Sequence, residues 1–218
     1  MKLKIQQTAD NSPTLYLSEL DETYHSIHGA RQESEHVYIQ SGLKNFVEKE
    51  TIRVFEMGFG TGLNVLLTWA FAKENKIIVS VTSTELYPLN ESVWSKLTYA
   101  KNDEEAAIFR LMHQSNWGEL VALDSTISLK KMHCSFLETA IEPSFEVIYF
   151  DAFGPDKQPE LWTPNVFAKL YDMLTIGGTL VTYAAKGQVR RDMQSVGFRM
   201  ERILGPPGKR EMLRGWKD

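Results

Sequence analysis

Polar and apolar residues alternate at the start of the chain. Leu3-Lys-Ile-Gln-Gln-Thr8 and Thr14-Leu-Tyr-Leu-Ser18 flank Asp10-Asn-Ser-Pro13, a run of turn-forming residues, and together they predict a β-hairpin. Residues 30–43 follow as a partly helical stretch with Gly42 near its end. From residue 51 strands and helices take turns. Residues 52–57 form a strand stopped by Gly58, a helix covers 62–73, and the β-branched run 76–84 is a second strand. Pro88 suits the first turn of a helix, where its missing N–H goes unused, and helical segments are predicted over 89–99 and 104–114. A weaker third strand spans 127–134; the fourth, 145–150, is apolar almost throughout, as a strand buried on both faces is. A helix over 165–174 stops before Gly177-Gly178, a fifth strand covers 179–184, and a helix over 188–196 ends at Gly197. The last two strands, 198–204 and 211–216, are joined by the turn-rich Gly205-Pro-Pro-Gly208 with no helix between them, so they are expected to pair antiparallel. Repeated strand–helix units predict an α/β fold: a doubly wound, mostly parallel sheet with an antiparallel C-terminal hairpin. The expected division is residues 1–50 as an N-terminal hairpin and helical extension, and 51–218 as one compact unit.

The junction after the first predicted strand is the most informative segment. In Val54-Phe-Glu-Met-Gly-Phe-Gly-Thr-Gly-Leu-Asn64 an acid, Glu56, precedes Gly58, Gly60 and Gly62. Glycine lets backbone approach a ligand without a Cβ in the way, and open α/β sheets bind ligands beyond the carboxyl ends of their strands. A dinucleotide fingerprint needs glycine where Leu63 stands, and no Gly-Lys-Ser/Thr follows, which excludes a P-loop. The Gly-x-Gly-x-Gly form instead resembles the first motif of S-adenosylmethionine-dependent methyltransferases, and the predicted sheet is the Rossmann-like arrangement of their class I. The resemblance implies that Glu56, Gly58, Phe59, Gly60, Thr61, Gly62 and Asn64 border S-adenosylmethionine, with Glu56 near its amino group. It also implies that Glu85, ending the second strand, accepts from the ribose hydroxyls. At the end of the third strand, where such enzymes often hold the adenine amine with an acid, this chain offers only Cys134 and Ser135. The alternatives are a glycine turn that merely packs strand to helix, and a solvated Glu85.

The fourth strand leaves through Phe150-Asp-Ala-Phe-Gly-Pro-Asp-Lys-Gln-Pro-Glu-Leu-Trp162. Methyl transfer is an in-line displacement, and an aliphatic amine acceptor must first lose a proton, because its ammonium form has no lone pair. A carboxylate here holds the ammonium and takes that proton, which makes Asp151 the candidate catalytic residue, with Phe153, Pro155 and Trp162 shaping the acceptor pocket. The alternative is that Asp151 only caps a turn beside the cofactor.

Composition narrows the picture further. A chain of 218 residues, 43% hydrophobic and 24% charged, fits one folded domain with a sheet covered on both faces. Its longest apolar runs, Leu66-Leu-Thr-Trp-Ala-Phe-Ala72 among them, fall well short of the ~20 residues of a membrane-spanning helix. Met1-Lys-Leu-Lys-Ile-Gln-Gln7 lacks the apolar core of a secretion signal, so a cytoplasmic location with no membrane partner is expected. A single cysteine, Cys134, and five histidines without ligand spacing give no reason to expect a metal. The net charge is −4, but residues 186–218 carry nine basic against four acidic side chains, +5, leaving −9 on the first 185. A basic end on an acidic body can steer a polyanion to one face.

These residues together resemble one family, the methyltransferase part of MnmC and its stand-alone relatives, MnmD. The blocks that carry the resemblance are Asp21-Glu-Thr-Tyr-His25 with Glu33-Ser-Glu-His-Val-Tyr38, the glycine loop, Asp151 through Thr163, Gly178-Thr-Leu-Val-Thr-Tyr183, Val189-Arg-Arg191, Gly197-Phe198 and Gly208-Lys-Arg-Glu-Met212. The resemblance implies N-methylation of aminomethyl-uridine at the tRNA wobble position, giving 5-methylaminomethyl-2-thiouridine. The partner is then a tRNA anticodon loop, with Tyr24 and Glu33 beside the cofactor and Lys209 and Arg210 as candidates for phosphate contacts. No flavin-dependent oxidase domain is expected in this chain, which ends soon after the Lys-Arg-Glu-Met block. Other readings are a methyltransferase for a small-metabolite amine or a protein side chain, an aminopropyl transferase, or a non-catalytic RNA-binding module on the same scaffold.

Overall fold

The computed structural model describes residues 2–142 and 144–218. The N-terminal hairpin pairs β1 (Leu3–Gln7) with β2 (Pro13–Leu17), Leu3 opposite Leu17 and Gln7 opposite Pro13, and a two-residue strand β3 (Glu22–Thr23) extends it to three strands. Asp10 ties the turn together. Its carboxylate accepts from the Thr8 and Ser12 hydroxyls and from the Gln32 N–H, which fastens the hairpin to helix α1 (Ala30–Ser34). The predicted helical stretch is real but not uniform: α1 widens directly into a π-type turn, Glu35–Gln40, and a 3-10 turn, Leu43–Phe46, follows. Val37, Tyr38 and Ile39 are buried in succession there, three neighbours that a regular helix spreads around its surface.

The remaining strands and α-helices are β4 (Thr51–Met57), α2 (Leu63–Asn75), β5 (Ile78–Glu85), α3 (Glu91–Trp94), α4 (Asp103–Gln114), β6 (Leu120–Ala122), β7 (Ile127–His133), β8 (Phe145–Phe150), α5 (Pro164–Met173), β9 (Leu174–Thr182), α6 (Gly187–Ser195), β10 (Arg199–Leu204) and β11 (Glu211–Trp216). They build an eight-stranded sheet of order β10-β11-β9-β8-β4-β5-β7-β6. The central pairs β4–β5, β4–β8, β5–β7 and β8–β9 are parallel, whereas β11 runs antiparallel to both β9 and β10. Every residue of β8 is buried, because helices cover both faces of the sheet at its centre. One face carries Val54, Leu66, Val79 and Val147 together with Leu15, Val37 and Ile39 of the N-terminal segment; the other carries Phe55, Ile148, Phe150, Phe167 and Leu180.

Two predicted elements differ in detail, and one strand is not predicted. Pro88 precedes its helix: Asn90, in extended conformation, caps a single turn that begins at Glu91, and residues 95–99 are not helical. The fifth strand starts at Leu174, directly after α5, and runs through Gly177-Gly178. Those glycines accommodate a register shift between Phe145 and Val147 and close backbone bonds with Lys217, so they mark an irregularity inside the strand instead of a stop. The edge strand β6, only three residues of exposed and half-buried side chains, carries too short a pattern to be read.

Candidate active site

The carboxyl ends of β4, β5, β7 and β8 open into one cavity of about 1100 Å³, roofed by the N-terminal segment from Tyr16 to Ile27. Lys157, on the loop after β8, pins the roof by donating to the Leu20 carbonyl at 2.6 Å. The glycine loop forms the floor. Gly58 holds φ +95°, and a Cβ there would meet the Asp151 carbonyl at 3.1 Å, so only glycine brings the two strand ends so close. Gly60 donates its N–H to Glu85 Oε2 at 2.8 Å, and Tyr87 donates its N–H to Oε1 at 2.8 Å. Glu85 therefore stands fixed at the end of β5, along one wall of the cavity. Cys134 and Ser135, just past β7, border the same region with Leu86 and Phe136.

Asp151 leaves β8 into the cavity, and two side chains hold it. Tyr38 donates to Oδ1 at 2.5 Å, and the Asn64 amide donates to Oδ2 at 2.7 Å. Burial pushes the Asp151 carboxyl up to about 6, against the pull of the Tyr38 and Asn64 hydrogen bonds in the other direction. Around it stand Tyr24 and Phe153, edge to face at 5.1 Å, and Tyr183, whose hydroxyl donates to the Ala152 carbonyl at 2.9 Å. Glu33 lies on the cavity wall, taking the Ser26 N–H at 2.7 Å and the Lys209 ammonium at 2.9 Å; Lys209 also sits 4.1 Å over the Tyr183 ring. His25, with Nε2 at 2.8 Å from the Thr61 hydroxyl, is kept neutral by burial, its acidity drawn to about 4.

The cavity thus brings together Tyr24, Glu33, Gly58, Phe59, Gly60, Thr61, Asn64, Glu85, Cys134, Ser135, Asp151, Phe153 and Lys209 of the residues singled out in the sequence. Others lie elsewhere. Trp162 packs in the core at 6% exposure, its ring 4.6 Å from Phe150 and its indole N–H on the Phe153 carbonyl, so it supports the loop from behind and offers no face to an acceptor. Gly62 caps α2 and turns away from the cavity: a Cβ there would meet Met112 at 2.5 Å and the His113 ring at 3.0 Å. Glu56 is fully buried behind the loop on the Ser83 hydroxyl and does not line the cavity. Pro155 and exposed Arg210 lie outside the lining. Lys209 is committed to Glu33 and Tyr183, so a phosphate contact is a poor description of it. Sequence reading missed His25 and Tyr183 on the cavity wall and Tyr38 behind Asp151; the Glu33-to-Tyr38 block carried the only hint of the last.

A parallel sheet with a glycine loop and two carboxylates at its carboxyl edge is the architecture of a class I methyltransferase. The chain belongs to the S-adenosyl-L-methionine-dependent methyltransferase family, whose model matches residues 110–218. Among sequence relatives, it is 30% identical to the tRNA 5-methylaminomethyl-2-thiouridine biosynthesis bifunctional protein MnmC of Chromohalobacter salexigens, over 94% of this chain and 32% of that protein. It is 29% identical to the protein of the same name from Leptospira interrogans, over 95% of this chain and 34% of that one. The chain spans about a third of the length of these curated relatives. Among solved structures, MnmC2 from Aquifex aeolicus superposes with a TM-score of 0.85 at 25% identity, over 99% of this chain and 70% of that one.

S-adenosylmethionine is therefore the cofactor, and the residues present fit it. The side-chain-free loop at Gly58 and Gly60 admits an extended ligand, and the carboxylates of Glu85 and Glu33 suit a cation with hydroxyl and amine donors. Among the described residues no group of three or more His, Cys, Asp or Glu is placed to hold a metal, and no helix is long and apolar enough to cross a membrane.

Proposed function

We propose that this chain N-methylates the aminomethyl group of a wobble uridine in tRNA, yielding the 5-methylaminomethyl form. The observation that carries the reading is Asp151: a cavity-facing carboxyl, oriented by Tyr38 and Asn64, whose acidity near 6 leaves it ionised at neutral pH yet basic enough to take a proton. When bound, S-adenosylmethionine supplies an electrophilic methyl on a sulfonium. Glu85 would accept from its ribose hydroxyls, Gly58 and Gly60 would leave room for its methionine end, and Cys134 and Ser135 would border its adenine. Asp151 holds the incoming ammonium and accepts its proton, which frees the nitrogen lone pair for in-line attack. Proton transfer of this kind contributes roughly 10²–10⁴-fold, and fixing the two reactants face to face contributes more.

The MnmC names of the relatives support tRNA as the acceptor, and the site has room for it: about 1100 Å³ holds a cofactor and an unstacked nucleoside together. Single-stranded bases are gripped by aromatic stacking, and Phe153 and Tyr24 supply that surface in place of Trp162. Most cations of the basic tail are already engaged: Arg199 and Arg214 with Glu201, Arg202 with Glu211, Lys186 with Asp156. Arg190, Arg191 and Arg210 make no ion pair among the described residues and remain for phosphate contacts. The test is to incubate the protein with methyl-labelled S-adenosylmethionine and tRNA bearing aminomethyl-uridine, then weigh the digested nucleosides. A one-methyl mass gain on that nucleoside is expected; a cofactor-binding protein that leaves its mass unchanged would overturn the substrate assignment.

A further inference from the structure

Glu56 is wholly buried, yet nothing of opposite charge meets it. The Ser83 hydroxyl donates to Oε2 at 2.6 Å, and Oε1 has no hydrogen-bond partner. The groups facing it are Ser83 and Glu85 from β5, Asp151 and the Tyr149 hydroxyl from β8, and the Asn64 amide from the first turn of α2; none is a cation. Asn64 is the complementary case. Its Nδ2 donates to Asp151, while its equally buried Oδ1 has no partner. Two buried oxygens on groups that face each other are thus left without a donor, an arrangement that burial penalises. One proton resolves both.

We propose that Glu56 is held as the neutral acid and donates from Oε1 to Asn64 Oδ1, making it a positioning residue for Asp151. The proton on Glu56 decides which way the Asn64 amide points. With Glu56 neutral, Oδ1 receives its proton and Nδ2 is left to serve Asp151. With Glu56 ionised, the amide turns Nδ2 toward it and brings Oδ1, an acceptor, against the Asp151 carboxylate. Burial, helped by the nearby Asp151 and Glu85 charges, pushes the Glu56 carboxyl up to about 8, against the pull of the Ser83 hydrogen bond, in keeping with a neutral acid at physiological pH. The acid of the glycine-loop motif thereby acts on the chemistry through Asn64. This rests on Asp151 being the proton acceptor, but its test needs no tRNA.

The experiment is a carbon-13 NMR titration of the full chain with labelled glutamate and aspartate side-chain carboxyls. At pH 7 one glutamate signal is expected to remain at the position of a protonated acid and to be missing from Glu56→Gln; full ionisation of every glutamate by pH 7 would overturn the proposal. The Asp151 signal, assigned by its loss in Asp151→Asn, reports the positioning. Glu56→Leu, which offers Asn64 no donor, is expected to raise the Asp151 midpoint by about one pH unit, a tenfold shift in its ionisation, while Glu56→Gln, which keeps an N–H for Oδ1, holds it near the parent value. An Asp151 midpoint unmoved in Glu56→Leu would overturn the positioning role. If tRNA proves not to be the acceptor, both NMR results stand or fall unaffected.

Discussion

Replacing Asp151 by Asn keeps the shape of the side chain and removes its charge, so catalysis and stability should move in opposite directions. With its acidity near 6, the parent carboxyl is about nine-tenths ionised at pH 7. Losing the base should lower single-turnover methyl transfer roughly 10²–10⁴-fold, or about 3–5 kcal/mol of activation free energy. Cofactor affinity should stay within about twofold, because Gly60 and Glu85 bond to each other and not to Asp151. Stability follows from linkage. Folding raises this carboxyl from 3.8 to about 6, so its contribution to stability is complete below pH 3.8 and is lost as pH rises through 6. The full shift corresponds to roughly 3 kcal/mol, and contact with the solvent-filled cavity reduces this to about 1–2 kcal/mol. Asp151→Asn should therefore equal the parent in denaturant unfolding at pH 4 and exceed it by that margin at pH 8. Turnover within threefold of the parent at pH 8, or a loss of stability there, would refute the reasoning.

Trp162→Ala should cost about 3–5 kcal/mol in denaturant unfolding, since its ring is packed between Phe150 and Phe167; a stable variant that merely binds tRNA less well would return Trp162 to the acceptor pocket. Glu85→Gln should weaken S-adenosylmethionine binding by calorimetry on the order of tenfold or more, the loss of a charge-assisted hydrogen bond, with tRNA affinity unchanged. For Arg210→Ala the expected signature is a salt dependence of tRNA binding shallower by about one phosphate contact, with cofactor binding intact; an unaltered slope would remove Arg210 from the nucleic-acid face.

The strand–helix alternation and the glycine loop are legible in the sequence because both rest on local patterns: apolar runs bounded by turn formers, and glycines where backbone must turn. What is illegible depends on partners far along the chain. Tyr38 reaches Asp151 across 113 residues, and only because a π-type turn redirects it, which no periodicity announces. Lys209 reads as a free surface cation until the fold sets it on Glu33, 176 residues away. Trp162 misleads for another reason. An indole suits a core and a stacking platform equally well, and the loop sequence does not say which side of the wall it occupies. Glu56 stands one pleat from the cavity, so the motif gives its position but not the face it turns to.

The most direct measurement is a crystal structure of the chain with S-adenosylhomocysteine and an anticodon stem–loop carrying aminomethyl-uridine. The expected result places the cofactor ribose on Glu85 and the uridine amine between the Asp151 carboxylate and the cofactor sulfur. A cofactor bound elsewhere, or an amine beyond hydrogen-bond reach of Asp151, would contradict the assignment.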